Sequence, residues 1–522
     1  MPILQWLNKE EAVVAARNCP YRLLEHVPES SYGEKNTENM LIQGDNLEAL
    51  KALIPTHAGR IKCIFIDPPY NTKSAFEHYD DNLEHSKWLS TIYPRLELLH
   101  QLLADNGTIW VTISSAEGHY LKVIMDEIFG RSNFIDTVTW VKTSSVHNNA
   151  DFFSSATDMM HVFAKNIDNV DFGRVPRSER NSKDYKNQDN DPRGAWASSP
   201  LHVSLTSGQR GAQYAKTGKS SGLYPIISPH GDEIYPPKGR CWGYSEDTVK
   251  AYDDDGRIWW GKDGKNQPRL KRYLNEQQDG VVPTTLWGHE EVGHNQKAKK
   301  ELSELLASET ELFATPKPEG LIERVLQIST KENEWVLDSF LGSGTTAAVA
   351  HKMNRKYIGV ELGEHAITHC QPRLKSVVDG EQGGISRNVN WKGGEGFKFF
   401  RLGEVIFNEN GTLKEDISFD ALASHIWFAD TKTSLVRNEK SPLLGVHDGV
   451  AYYLLYNGIL GDKRPDGGNV LTSKVLSILP QHPIDPINGK RVIFGETSRM
   501  GAARLKKENI VFKQIPYDVK GR

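Results

Sequence analysis

The sequence predicts an α/β fold, a doubly wound and mostly parallel sheet with a loop-rich insertion and a small α/β C-terminal domain. Three observations carry that expectation. Short apolar strands alternate with helices of amphipathic spacing along residues 37–170, the pattern of a sheet covered by helices. The alternation breaks over residues 171–308, which are rich in Gly, Pro, Asn, Asp, Trp and Tyr, and resumes over 309–385. The break therefore reads as an insertion in one sheet, not a boundary between two folds. Two strands also close in turns of unusual chemistry, Asp67-Pro68-Pro69-Tyr70 and Asp338-Ser339-Phe340-Leu341-Gly342-Ser343-Gly344.

Taken in order, residues 1–36 read as a helical, partly charged lead-in, with helix over 10–25. Strands follow at 40–43, 63–66, 108–113, 134–141 and 160–164, with helices at 47–54, 86–103 and 117–129. Across 171–308 the reading is short strands and many turns. The second α/β stretch gives helices at 318–330, 345–353 and 364–378, and strands at 335–337 and 357–360. A Gly-rich linker (380–396) leads to a C-terminal region, 395–522, with strand-like runs at 451–455 and 492–494 and a basic helix near 499–507.

Composition narrows the class. A chain of 522 residues has room for roughly two to four domains with a full core. No run approaches the roughly 18 apolar residues of a membrane span, and the first ten residues lack a secretory pattern. Cys19, Cys63, Cys241 and Cys370 are scattered, which excludes a CxxC metal site and favours a reducing, cytoplasmic setting. A net charge of −4 gives no global sign of a nucleic-acid partner, so any affinity for DNA must come from a local basic surface.

The first turn suits a nucleobase. An exocyclic amino group conjugated to a purine is a poor nucleophile, and accepting hydrogen bonds from both its hydrogens favours a pyramidal nitrogen with an available lone pair. Asp67 can supply a carboxylate oxygen and Pro68 a carbonyl, while Pro68 and Pro69 stiffen the geometry. Tyr70 offers an aromatic face to a base taken out of the stack, worth about 1–3 kcal/mol. The bland alternative is a Pro-Pro turn after a strand.

The second turn has the design of a nucleoside-binding crossover: strand, Asp338, a Gly-x-Gly turn at Gly342 and Gly344, then a helix from Thr345. Glu361 closes the next strand 361 − 344 = 17 residues on, close to the spacing of a ribose-binding carboxylate. A dinucleotide site is disfavoured because Ala347 stands where a third glycine belongs, and no Lys follows as in a phosphate-binding loop. Asp45 reads equally as an adenine-side residue or as the N-cap of the helix after it.

Together, Asp67-Pro68-Pro69-Tyr70 and Phe340-Leu341-Gly342-Ser343-Gly344 resemble the S-adenosylmethionine-dependent DNA amino-methyltransferases. Base-site motif first, long insert, cofactor motif second is similar to their β-class arrangement. The stretches QGDNLEAL (43–50), NQDNDPRG (187–194) and Thr315-Pro316-Lys317-Pro318-Glu319 resemble the modification subunits of type III restriction–modification systems, over about residues 1–400. The resemblance implies a Rossmann-like sheet of circularly permuted motif order and S-adenosylmethionine as cofactor. Asp338, Phe340, Gly342 and Gly344 would line its methionine and ribose side, with Glu361 on the ribose hydroxyls. Asp45, Thr315 and Lys317 would close over it, and Asp67 to Tyr70 would hold the target base. Asp at the first motif position is similar to adenine-N6 enzymes, whereas cytosine-N4 enzymes more often carry Ser. Implied partners are double-stranded DNA, a second copy of the chain and a nuclease–translocase subunit docking on the tail, with no membrane. The chemistry calls for no metal.

Residues 238–273 hold nine basic against six acidic residues, with six aromatics interleaved. Phosphate contacts and base readout are expected there from Arg240, Trp242, Arg257, Lys262, Arg269, Lys271 and Arg272, against the alternative of a solvated hairpin over a small Trp core. His289-Glu290-Glu291-Val292-Gly293-His294 mimics a zinc motif, but histidines five apart leave one helical face, so a turn into a helix over 296–306 is expected. His147 and His161 lack a ligand-spaced partner. Adenine-N6 methylation is the leading function. Cytosine-N4 methylation, a DNA-binding specificity subunit with dispensable chemistry, and a nicotinamide oxidoreductase are the competing ones.

Overall fold

The computed structural model describes residues 3–71, 84–145, 152–176, 184–206, 214, 216–276, 280–305, 313, 315–408, 413–414, 417–436, 441–515 and 519. His147 lies outside them. The chain forms two compact units, Met1–Gly173 with Thr284–Arg522, and Arg174–Pro283.

The first unit is built on one large sheet. Its main strands are β1 (Arg22–His26), β2 (Met40–Gln43), β3 (Ile61–Ile66), β4 (Leu103–Ile113), β5 (Phe134–Val141), β6 (Thr157–Ala164), β7 (Leu286–Trp287), β8 (Trp335–Asp338), β9 (Lys356–Glu361) and β10 (Gly396–Val405), with the two-residue strand Tyr32–Gly33 pairing β10 off the main path. They lie in the order β1-β10-β2-β9-β8-β3-β4-β6-β5-β7. The run from β10 to β4 is parallel, while β1 and β6 enter antiparallel. Ile64, Val111, Leu337, Ile358 and Val360 are fully buried, as strands covered on both faces require.

This order positions the site. From β8 the chain moves outward to β9, and from β3 it moves the opposite way to β4. Strands β8 and β3 are neighbours, so the sheet has its topological switch point between them, where open α/β sheets hold ligands. Acids stand at or just past the carboxyl ends of four adjacent strands: Asp45 (β2), Glu361 (β9), Asp338 (β8) and Asp67 (β3). Adjacent strands sit roughly 4.8 Å apart, so residues distant in sequence share one edge.

Helix Asn46–His57 buries Ala49, Leu50, Leu53 and Ile54, and helix His85–Leu102 buries Trp88, Leu89, Ile92, Leu96 and Leu99 against the same core. These positions follow the three-to-four spacing of one helical face.

Three expectations are corrected. The lead-in is not helical over 10–25: helix Lys9–Asn18 stops before Pro20, and Arg22–His26 pairs with β10, since the residue before a proline avoids the helical region. The C-terminal region does not begin as a separate body at 395, because Gly396–Val405 is a strand of the main sheet. The insertion does not run to 308: Thr284–Leu305 belongs to the first unit, where β7 extends the sheet beside β5.

Beyond β10 the chain builds a second sheet in the order Leu443–His447, Val450–Leu454, Lys490–Gly495, Ile510–Gln514. One face packs on helix Phe419–Thr431 through Leu422, Ile426, Leu454 and Phe494. Leu435 N donates to Pro55 O of the main body (3.3 Å).

The unit Arg174–Pro283 has its own small core of Leu201, Ile226, Trp242, Ile258, Trp260 and Leu270. Its two ends are joined at a neck, where Val175 N donates to Val281 O (3.0 Å) and Val281 N to Val175 O (2.8 Å). Cys19, Cys63, Cys241 and Cys370 are all buried free thiols. Among the described residues no helix is long and apolar enough to cross a membrane.

Candidate active site

The Asp67 turn is held from three sides. Thr112 Oγ1, on β4, donates to Asp67 Oδ1 (2.9 Å), and the Lys317 ammonium pairs with Oδ2. Trp88 Nε1 donates to Pro69 O (2.8 Å). The half-buried Tyr70 donates its hydroxyl to Asp158 Oδ2 (3.2 Å) on β6, and Lys142 Nζ holds Oδ1 of the same carboxylate (2.7 Å). Burial, with the charges of Asp67 and Asp158 adding to it, pushes the Tyr70 hydroxyl well above its ordinary value, so it stays a donor. Lys317 Nζ lies 5.3 Å from the Tyr70 ring centroid, a cation–π distance. Beyond the motif, Asn71 Nδ2 donates to Glu117 Oε1 (2.7 Å), and His85 Nδ1 lies 2.8 Å from Glu117 Oε2.

Beside this turn, Asp338 folds the second one. Its Oδ1 accepts from Phe340 N (2.9 Å) and its Oδ2 from Thr346 Oγ1 (2.6 Å). Burial pushes its carboxyl up to about 7. Gly342 has φ +57°, a conformation costly to any other residue but Asn or Asp, and its N–H donates to Glu361 Oε2 (2.7 Å). A Cβ on Gly342 would lie 3.0 Å from the Phe313 ring. The buried Ser339 hydroxyl has no hydrogen-bond partner among the described residues. Asn46 Nδ2 donates to Ser339 O (2.7 Å) and is itself gripped by Arg95. Asp45 does act as an N-cap: Oδ1 accepts from Leu47 N (2.8 Å), while Oδ2 takes Arg95 Nη2 (3.0 Å). Thr315 is exposed and Lys317 buried.

Under the turn lies an ion network with almost no solvent. Arg373 donates to Thr345 Oγ1 (2.8 Å), Ser343 O (3.3 Å) and Glu319 Oε1 (2.8 Å), and Lys352 donates to Glu319 Oε2 (2.7 Å). Burial alone would raise Glu319, yet the Arg373 and Lys352 charges hold it below its ordinary value.

The structure thus brings Asp67, Tyr70, Lys317, Asp338, Phe340, Gly342, Gly344 and Glu361 to neighbouring turns on one sheet edge. A family model described as DNA methylase matches residues 61–371, more than half the chain. The chain belongs to this DNA methylase family. It is 33% identical over 429 residues to a probable type III restriction–modification enzyme HindVI Mod subunit of Haemophilus influenzae, covering 73% of this chain and 55% of that one. It is 31% identical over 351 residues to the StyLTI Mod subunit of Salmonella typhimurium (62% and 51% covered), and 28% identical over 416 residues to the EcoPI Mod subunit of Escherichia phage P1 (68% and 62% covered). The matched part spans little more than half the length of these relatives.

In the insert, two expected DNA contacts are corrected. Trp242 is fully buried, with Nε1 donating to Tyr224 O (2.8 Å). Lys271 is buried too, paired with Asp189 and Asp191. Asp191 also accepts from Arg193 Nε (3.0 Å) and Tyr273 OH (2.6 Å), and the Arg193 guanidinium chiefly holds it far below the usual carboxylate range. The 187–194 motif is therefore the hub of the small fold. Arg257 is spent on Asp255 and Glu276. Arg269 leans on Ser198 and Arg272 on Ser199, while Arg240, Lys262 and Arg272 are exposed.

His289–Val292 is a short helix and Asn295–Leu305 a longer one. Among the described residues no cluster could hold a metal ion. His161 is buried, with Nδ1 3.0 Å from Thr137 Oγ1 and Nε2 2.7 Å from Gly118 O. Sequence reasoning missed Thr112, Lys142, Asp158, Arg95, Asn46 and Arg373. Asp158 left a trace, a lone acid opening an apolar strand; the others carry no local signal.

Proposed function

We propose that this chain transfers a methyl group from S-adenosylmethionine to N6 of an adenine flipped out of double-stranded DNA. The observation that carries the reading is the adjacency of the Asp67 and Asp338 turns across the switch point of one sheet. The cofactor, when bound, supplies an electrophilic methyl on a sulfonium.

The residues present fit it. Burial raises the Asp338 carboxyl, a penalty that a bound cation would relieve, the Ser339 hydroxyl is buried without a partner among the described residues, and Gly342 lets backbone approach a ligand closely. Glu361, at the end of the next strand, supports a ribose contact, and Asp45, Phe340, Gly344, Thr315 and Lys317 complete the proposed surround.

On the base side, Asp67 and the Pro68 carbonyl accept the amino hydrogens, and Tyr70 supplies the stacking face. So held, the N6 lone pair would face the methyl donor, which would depart as the neutral thioether, and the proton that N6 then gives up would leave to water. Positioning and charge placement carry the rate. Asp at the head of the motif supports adenine over cytosine.

The relatives are named Mod subunits of type III restriction–modification enzymes. Those names support a modification role and a restriction subunit as partner. We further propose a homodimer, with sequence choice made by exposed Arg240, Lys262 and Arg272 of the insert.

The test is methylation of plasmid DNA by purified protein, read by nucleoside mass spectrometry and base-resolution sequencing. N6-methyladenine in one sequence context is expected. A protein that binds S-adenosylmethionine yet leaves adenine unmodified, alone or with its partner subunit, overturns the reading.

A further inference from the structure

Two consecutive phenylalanines stand almost wholly in solvent: Phe152 is 93% and Phe153 94% exposed. Phenylalanine is normally among the most buried residue types, and an exposed large apolar group beside a polar surface marks a contact site. Their immediate neighbours in sequence are small or polar, Asn148-Asn149-Ala150-Asp151 before and Ser154-Ser155 after.

Their place in the fold says what they would meet. The segment joins β5 to β6. The ladder between these strands ends at Trp140↔Asp158 and Val141↔Thr157, and Lys142 N donates to Ala156 O (3.0 Å). Lys142 and Asp158, the last anchors before the segment leaves the sheet, are the pair that holds the Tyr70 hydroxyl. Phe153 lies five residues before Asp158, a span of at most about 17 Å of extended chain. The two rings therefore belong to the connection that leaves the sheet at the residues holding the Tyr70 hydroxyl, within chain reach of the base site.

We propose that Phe152 and Phe153 form an apolar wedge that enters the duplex where the target base leaves it. This rests on the reading that the Asp67–Tyr70 turn takes a flipped adenine. A base inside a duplex cannot reach the half-buried Asp67 carboxylate without extrusion, which costs unstacking and unpairing. Apolar side chains inserted between base steps offset that cost in other DNA-binding proteins. Aromatic rings are sequence-tolerant partners for the bases left behind, so the wedge would act at any recognition sequence.

The test compares two oligonucleotide duplexes carrying the methylated sequence identified on plasmid DNA. In one the target adenine faces thymine; in the other it faces an abasic site, so no pair has to be broken. The double variant Phe152→Ala/Phe153→Ala is expected to lose at least tenfold in methylation rate on the paired duplex. It should stay within about twofold of the unaltered protein on the abasic duplex. Phe152→Leu/Phe153→Leu, which keeps the apolar bulk, should restore most of the paired-duplex rate. Equal losses on both duplexes, or no loss on either, overturn the wedge. An unaltered protein that methylates neither duplex overturns the proposed function instead, so the two failures are distinguishable.

Discussion

Lys317 and Asp67, 250 residues apart in sequence, form an ion pair that ties the segment before helix Glu319–Ser329 to the base-site turn. Lys317 can therefore influence the base through the carboxylate it holds. Lys317→Met is expected to cost at least tenfold in kcat/KM for DNA. In an Asp67→Asn background the same change should cost little more. Initial rates of the two single variants and the double variant check this; fully additive losses would show that Lys317 works independently of Asp67.

Asp158 fixes the ring of Tyr70 by its hydroxyl. Asp158→Asn should lower kcat with a smaller change in KM for DNA, because the ring is still present but less well oriented. Tyr70→Phe should make the Asp158 substitution nearly silent, with a coupling of about 0.5–1.5 kcal/mol in the cycle. Independence of the two would remove Asp158 from the base site.

Asp338 makes a pH prediction. Its folded-state value of about 7 lies above its ordinary 3.8, so the folded protein holds this proton more tightly than the unfolded one. The stability this contributes is fully present below about pH 4 and is lost as pH rises through about 7. A cation bound against the carboxylate favours the ionised form. Affinity for S-adenosylmethionine should therefore rise with pH up to about 7 and then level off, with proton release below 7. Calorimetry in buffers of different ionisation enthalpy measures that release. Asp338→Asn should flatten the profile.

Glu319, Arg373 and Lys352 make a structural prediction. Breaking a buried pair by removing one partner typically costs 3–5 kcal/mol, so Glu319→Gln should lower Tm markedly and weaken cofactor binding through Ser343 and Thr345. Gly384 meets the same carboxylate: its φ is +51°, and a Cβ there would collide with Glu319 Oε2. Gly384→Ala should be destabilising for both reasons, seen as a Tm loss comparable to that of Glu319→Gln. A Tm unchanged in both variants would count against the network.

What could be read in advance divides by range. Strand β3 before Asp67 and strand β8 before Asp338 announce themselves through apolar runs closed by Pro or Gly turns. Asp45, Glu361 and the helix after Gly344 follow from short-range spacing. Strand β10 was hidden because its partners, Met40–Gln43 and Arg22–His26, lie more than 350 residues upstream, and a Gly-rich approach resembled a linker. Lys271 and Trp242 looked like surface groups, since composition cannot tell a solvated cation from one closed over Asp189 and Asp191. Thr112 and Lys142 gained meaning only once pairing set their strands beside the Asp67 turn.

The neck at Val175 and Val281 has a consequence for how such a molecule can change. A segment of more than a hundred residues whose two ends are already hydrogen-bonded to each other places no demand on the distance its host must span. Lengthening or replacing it alters the closure entropy only slowly. Under the proposed function, residues 174–283 can thus be exchanged as a cassette at this neck, and a new target sequence acquired, while the sheet of the first unit keeps its chemistry.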